Sequence, residues 1–161
     1  MIIGNGDIAS IIPDQEDRLY FASGVSNSGE TREPEYKREI NLLKEQNTKR
    51  HIVYFSSIAV LNGVGRYYDH KRSMEELVKK FPNYTIIRLG NISWGNNKHT
   101  LINSFKDKLS KGESLEIRDE YRYIVDKDEF LYWINLIPEW NCEINIVGRR
   151  MKVIDIVKEY V

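Results

Sequence analysis

The most specific chemical signal in this 161-residue chain is a pair four residues apart, Tyr67 and Lys71, in the string Tyr67-Tyr68-Asp69-His70-Lys71. On a helix that spacing brings both side chains to one face. A phenol of ordinary pKa, near 10, is a poor base at neutral pH. A neighbouring ammonium favours the phenolate and draws the group toward the range where it can exchange protons. Ten residues before Tyr67, Ser57 ends the run His51-Ile52-Val53-Tyr54-Phe55-Ser56-Ser57, which reads as a buried strand. A hydroxyl at the carboxyl end of that strand could hold a substrate oxygen while the tyrosine moves its proton. An ordinary exposed Tyr/Lys pair would give the same string, so its weight depends on what surrounds it.

A second signal opens the chain. Gly4-Asn5-Gly6-Asp7-Ile8-Ala9 fits the G-x-G-x-x-G/A dinucleotide fingerprint, with the apolar run Met1-Ile2-Ile3 before it and an apolar segment, 8–12, after it. Gly4 would permit the tight turn and Gly6 would let the backbone approach a pyrophosphate. Ala9 would let a helix pack closely, with its free amides facing the phosphates. Asp7 suits a helix N-terminus but repels a phosphate. Gly-rich turns also start helices for structural reasons alone.

The elements that must position these residues alternate along the chain. Strand-like runs are expected at 1–3, 19–22, 51–55, 84–89, 121–125 and 143–147, and helices at 8–12, 34–45, 66–80, 101–109, 129–136 and 153–161. That rhythm predicts an α/β fold, a parallel sheet with crossover helices. No flexible linker divides the chain, so residues 1–161 are expected to form one domain.

Composition excludes several classes. Lys+Arg and Asp+Glu are both 24, and that balance argues against a nucleic-acid binder. The single cysteine, Cys142, rules out an internal disulfide framework and suits a reducing cytosol. One Cys and three scattered His predict no metal site. His51, His70 and His99 read as solvent-facing or capping residues, and Trp94, Trp133 and Trp140 as core or interface aromatics. Residues 126–129 read as a helix N-terminal cap and Arg149-Arg150 as a solvated turn. No run is apolar enough to span a bilayer and the N-terminus lacks the features of a signal peptide, so a cytoplasmic location is expected.

The order of the motifs adds a resemblance. Leu19-Tyr20-Phe21-Ala22-Ser23-Gly24, Glu39-Ile40-Asn41-Leu42-Leu43 and Ser56-Ser57-Ile58-Ala59-Val60 precede the Tyr67/Lys71 pair. Glu75, Arg88-Leu89-Gly90-Asn91, Tyr121-Arg122-Tyr123-Ile124-Val125-Asp126 and Glu143-Ile144-Asn145-Ile146-Val147-Gly148 follow it. In this order they resemble the motifs of the extended short-chain dehydrogenase/reductases, the family of nucleotide-sugar epimerases and dehydratases. The resemblance implies that the one domain is a truncated NAD(P)-binding Rossmann-like one, of reduced strand number with helices on both faces and small C-terminal elements. It implies a catalytic Ser57, Tyr67 and Lys71, with Ser57 rather than Ser56 at the hydroxyl position. It implies cofactor contacts from Gly4, Asn5, Gly6, Asp7, Ile8, Ala22, Ser23, Lys71, Gly90 and Asn91. Asn41 falls near the position of the family's active-site asparagine.

The departures are as informative. Between the Gly-rich turn and Leu19 the family carries two further strands and helices, including the acidic residue that holds the adenosine ribose. Here only a short loop with Asp14, Glu16 and Asp17 remains. The expected activity is therefore that of an NAD(P)-dependent oxidoreductase or epimerase/dehydratase-like enzyme with weak NAD or NADP binding. Its substrate would be a small-molecule hydroxyl or ketone, with a nucleotide sugar as one candidate. The alternatives are an inactive relative that binds or interacts, and a homo-oligomer in which a partner subunit restores the adenosine wall.

Overall fold

A computed structural model describes all 161 residues. In chain order the strands are β1 (Ile2–Ile3), β2 (Arg18–Phe21), β3 (His51–Ser57), β4 (Tyr84–Leu89), β5 (Asn91–Ile92), β6 (Tyr121–Val125), β7 (Cys142–Ile146) and β8 (Arg149–Lys152). The helices are α1 (Glu33–Lys44), α2 (Arg66–Val78), α3 (Leu101–Ser110), α4 (Lys127–Asn135) and α5 (Val153–Tyr160), with a 3-10 turn at Ile58–Leu61. β1, β2, β3, β4 and β7 lie side by side in that order, every pair parallel. This is the expected Rossmann-like α/β sheet, with β1 at its edge.

Alternation along each strand explains the layers. Tyr20, Val53, Phe55, Ile87 and Ile146 point to one face, where Phe130 and Ile134 of α4 and Ile12 cover them. Leu19, Phe21, Ile52, Tyr54 and Ile86 point to the other, against Leu43 of α1 and Met74 and Val78 of α2. Both faces are buried, which is why these strands read as unbroken apolar runs. A smaller sheet, β5-β6-β8, pairs β6 parallel to β5 and antiparallel to β8. Ile102 of α3 and Ile156 of α5 pack on its Ile124.

Three local expectations are corrected. Residues 8–12 form only a turn, closed by Ser10 N–H to the Gly6 carbonyl at 3.0 Å, and not a helix. Five residues are too few to propagate a helix, and Pro13 both lacks an N–H and disfavours helical geometry at Ile12. Arg149-Arg150 begins β8 and is not a turn. His51 and His70 are buried, whereas His99 is exposed as expected. Of the tryptophans, Trp94 packs on Phe130 at a centroid distance of 5.1 Å, while Trp133 and Trp140 lie on the surface. No helix is long and apolar enough to cross a membrane.

Candidate active site

Because the main sheet is wholly parallel, the carboxyl ends of its strands share one edge. Gly4, Ala22-Ser23, Ser57, Gly90 and Val147 leave the sheet there from β1, β2, β3, β4 and β7. They frame a cleft of about 1320 Å³ whose far wall includes Tyr121, Arg122 and Tyr123 of β6. Asn5, Gly6, Asp7, Ile8, Ala22, Ser23, Ser57, Tyr67, Lys71, Gly90 and Asn91 all line it. Gly4 lies beneath, in a role only glycine fills. Its φ is +126°, and a Cβ would stand 2.3 Å from the Ala22 carbonyl oxygen.

Ser56 and Ser57 diverge because consecutive strand residues face opposite ways. The Ser56 hydroxyl donates to buried Glu75 at 2.6 Å, and Glu75 also receives Arg88 through two nitrogens. The Ser57 hydroxyl accepts the Ala59 N–H at 3.2 Å, which leaves its own proton free for the cleft. The 3-10 turn that follows is tied to α2 by Arg72, whose guanidinium donates to the Val60 carbonyl at 2.6 Å and the Gly63 carbonyl at 3.1 Å. This short strap carries the chain from Ser57 to Tyr67.

Tyr67 and Lys71 share the inner face of α2 with His70, Met74, Glu75 and Val78. The Tyr67 ring packs with Val25 and Tyr36, and edge-on against Tyr68 at 5.2 Å. Its hydroxyl makes no hydrogen bond within the protein and is not sealed off from the cleft. Lys71 is only 3% exposed. Its Nζ donates to Glu39 Oε1 at 3.1 Å and to the Tyr54 hydroxyl at 3.2 Å, and lies 5.9 Å from the centre of the Tyr67 ring. The Lys71 ammonium is thus engaged before any ligand arrives.

Glu39 was not singled out in the sequence, yet it is the hub of this region. It is fully buried on α1 and accepts four donors: Lys71, His70 at 2.8 Å, the Val25 N–H at 2.8 Å and the Tyr54 hydroxyl at 2.7 Å. Burial alone would raise its carboxyl, but the Lys71 ammonium and the hydrogen bonds from His70, Val25 and Tyr54 outweigh it and bring it to about 2. A buried carboxylate stripped of such partners would cost several kcal/mol, roughly 3–5. The signal was available: Tyr36, Glu39 and Leu43 lie at helical spacing, so the stripe that buries two large side chains also buries a charge. Asn41, the residue that the resemblance brought forward, is exposed.

This arrangement corrects one expectation. Tyr67 is not lowered toward neutrality; its pKa is raised above 10, chiefly by burial. Lys71 pulls it down, and Glu39, Tyr68 and Tyr36 push it up. Lys71 does act in the expected direction, but a carboxylate offsets it.

The Gly-rich turn also differs from expectation. Gly6 has open space where a Cβ would stand, so the backbone can be approached there. Asp7 faces another way: its carboxylate accepts the N–H groups of Asn96 and Asn97 at 2.9 and 3.0 Å, and its carbonyl accepts Trp94 Nε1 at 3.2 Å. Asp7 therefore fastens the turn to the loop after β5, and its side chain is not aimed at a cofactor. Asn97 extends the fastening to Ser26 at 3.1 Å. Ser23 is held by Arg38, and the Asn91 side chain donates to the Tyr123 carbonyl at 3.0 Å.

No family model matches the sequence, and no curated protein is recognisably similar to it in sequence. The fold has clear relatives among solved structures. UDP-galactose 4-epimerase aligns with a TM-score of 0.68 at 16% identity, over 89% of this chain and 61% of that one. The Bordetella bronchiseptica enzyme WbmG, in complex with NAD, aligns at 0.65 and 14%, over 88% and 54%. RMD from Pseudomonas aeruginosa, complexed with NADPH, aligns at 0.65 and 17%, over 95% and 65%. The chain thus shares the Rossmann-like α/β fold of these three proteins. It spans between half and two thirds of the length of these three.

Proposed function

We propose that the 161 residues act as one NAD(P)-dependent unit of the short-chain dehydrogenase type, transferring hydride to or from a small-molecule hydroxyl or ketone. The observation that carries this reading is the convergence of the Ser57 hydroxyl and the free Tyr67 hydroxyl on the cleft that the Gly-rich turn also borders. The open space over Gly6 and the room in the cleft fit the pyrophosphate and nicotinamide half of a dinucleotide.

When bound, the nicotinamide supplies the hydride chemistry. The protein's part is to hold the substrate oxygen and manage its proton. Ser57 donates to that oxygen and fixes its position against Tyr67. Tyr67 then gives a proton to the oxygen as a carbonyl becomes an alcohol, or takes it in reverse. Lys71, with Glu39, sets the field around the phenol. A nucleotide sugar is one substrate that the fold relatives suggest; UDP is bound with NAD in a second structure of WbmG. The lone Cys142 suits work in a reducing cytosol.

The test is calorimetry of the purified protein with oxidised and reduced NAD and NADP, with mass measurement of any nucleotide that co-purifies. A protein that binds none of the four, as a monomer or as an oligomer, is not an enzyme of this kind. A second reading, a non-catalytic binding protein, is favoured by the diversion of Asp7 and by the occupied Lys71 ammonium.

A further inference from the structure

The Tyr67/Lys71 pair has a buried carboxylate beside it, and that charge bears on which way the Tyr67 proton moves. The Glu39 carboxylate lies against Lys71 Nζ at 3.1 Å, with the Tyr54 hydroxyl donating to it and accepting from Lys71. The backbone closes over the pair at Gly24, where a Cβ would stand 2.6 Å from Lys71 Nζ and 2.8 Å from Glu39 Oε1. Lys71 is therefore pinned on the α1 side, and its charge is matched by a group just as buried.

We propose that Glu39 is a positioning residue: by pinning Lys71 and matching its charge it keeps the Tyr67 phenol protonated, so that the site is set for proton donation to a carbonyl substrate and not for proton removal from an alcohol. Hydride from the reduced nicotinamide forms the new C–H bond at the carbonyl carbon. The Tyr67 O–H bond breaks and its proton completes the alcohol, while solvent reprotonates the tyrosinate. The substrate is reduced and the cofactor oxidised. The substrate class is thus an aldehyde or ketone. This rests on the proposed function for its catalytic meaning, but the proton on Tyr67 can be read without turnover.

The ionisable groups around Tyr67 all bear on this. Glu39 and Tyr36 reach it from α1, Tyr54 from β3, and Tyr68 and Lys71 from α2, with His70 beyond them on Glu39. Of these only Lys71 favours the phenolate, and its ammonium is hydrogen-bonded to Glu39. Burial adds to the same bias.

The experiment labels the tyrosines with carbon-13 at Cζ, assigns Tyr67 by its loss in Tyr67→Phe, and follows its shift with pH in the full chain. In the native protein Tyr67 should not titrate below about pH 10. In Glu39→Gln its midpoint should fall by about one pH unit or more, because a negative charge a few ångströms away has gone. Glu39→Asp, which keeps the charge, should restore the native behaviour. A folded Glu39→Gln with an unmoved Tyr67 would reduce Glu39 to a structural role and overturn the proposal. Should Glu39→Gln not fold, the native titration still decides, since a Tyr67 midpoint between about pH 6 and 9 also overturns it. Shifts as expected in a protein that binds no nicotinamide would sink the proposed function and leave the Glu39 inference standing.

Discussion

The two banks of the cleft are built to different standards. The bank formed by β3 and α2 is anchored from behind: Glu39 gathers four donors, Glu75 holds Ser56 and Arg88, and Arg72 ties the strap between Ser57 and Tyr67. The bank formed by β1 is an edge strand of two residues followed by a turn, and its one charged side chain there is fastened to the loop across the cleft. The β3–α2 bank is thus pre-organised around buried charge, whereas the β1 bank offers glycines and little else. Fixing side chains for proton transfer and gripping a cofactor are separate structural problems.

The contrast is sharpest in cofactor affinity. In the proposed reading the Gly4 to Gly6 turn would meet a pyrophosphate, but no strand lies beyond β1 to present a carboxylate to an adenosine ribose. Losing a charge-assisted hydrogen bond and some apolar burial costs about 2–4 kcal/mol, roughly 30- to 1,000-fold in affinity. A verified monomer should therefore bind NAD or NADP in the high-micromolar range or more weakly by calorimetry. Sub-micromolar binding would show that the loop carrying Asp14, Glu16 and Asp17 supplies the missing grip. Tight binding only in an oligomer would place that wall in a partner subunit.

On the opposite bank the expected effect is on stability. Glu39 is held at about 2, below its ordinary 4.5, so the folded state gains from its ionisation above the ordinary value and loses that gain as pH falls through the folded one. The contribution is on the order of 3 kcal/mol, lost between about pH 5 and pH 2. Urea unfolding across that window should show a drop that Glu39→Gln largely removes. An equal drop in the variant would assign acid sensitivity to other carboxylates.

A somewhat smaller effect is expected at Tyr67 once a substrate is in hand. Tyr67→Phe keeps the packing against Val25 and Tyr36 and deletes the hydroxyl, which makes no hydrogen bond within the protein. The rate should fall about 100-fold or more, which is about 2.7 kcal/mol, with little change in substrate binding. A loss in KM alone would recast Tyr67 as a binding group.

How much of this was legible in the sequence follows the same divide. Short apolar runs and period 3.6 gave the five parallel strands and the helices at 34–45, 66–80 and 101–109 to within a few residues, because these elements bury continuous apolar surface. The helix at 8–12 was misread because its apolar residues pack on the sheet from a turn, and periodicity over five residues does not separate the two. β5 and β8 escaped notice because they are short and half-exposed. Tyr67 and Lys71 were singled out by spacing and Ser57, over Ser56, by the resemblance, and all three border one cleft. Glu39 and His70 were missed for a physical reason: a charged or polar side chain on a helix is read as exposed unless its partner, 31 or 32 residues away, is known.

The smallest effect concerns Asp7, the residue that fastens the β1 bank to the loop after β5. Its carboxylate takes two backbone N–H groups from Asn96 and Asn97, and the turn at Gly95, with φ at +93°, leaves no room for a Cβ beside it. Asp7→Asn keeps one accepting oxygen, removes the charge and turns an amide N–H toward a backbone donor. The strap should loosen at a cost of about 1 kcal/mol, a fall of a few degrees in Tm. Nucleotide affinity should not decline, because the carboxylate is committed to the loop and its charge repels a phosphate. Thermal unfolding and calorimetry on the same variant separate the two roles. A tenfold loss of NAD or NADP affinity with an unchanged Tm would return Asp7 to the cofactor site and make the β1 bank a better-built one than its short edge strand suggests.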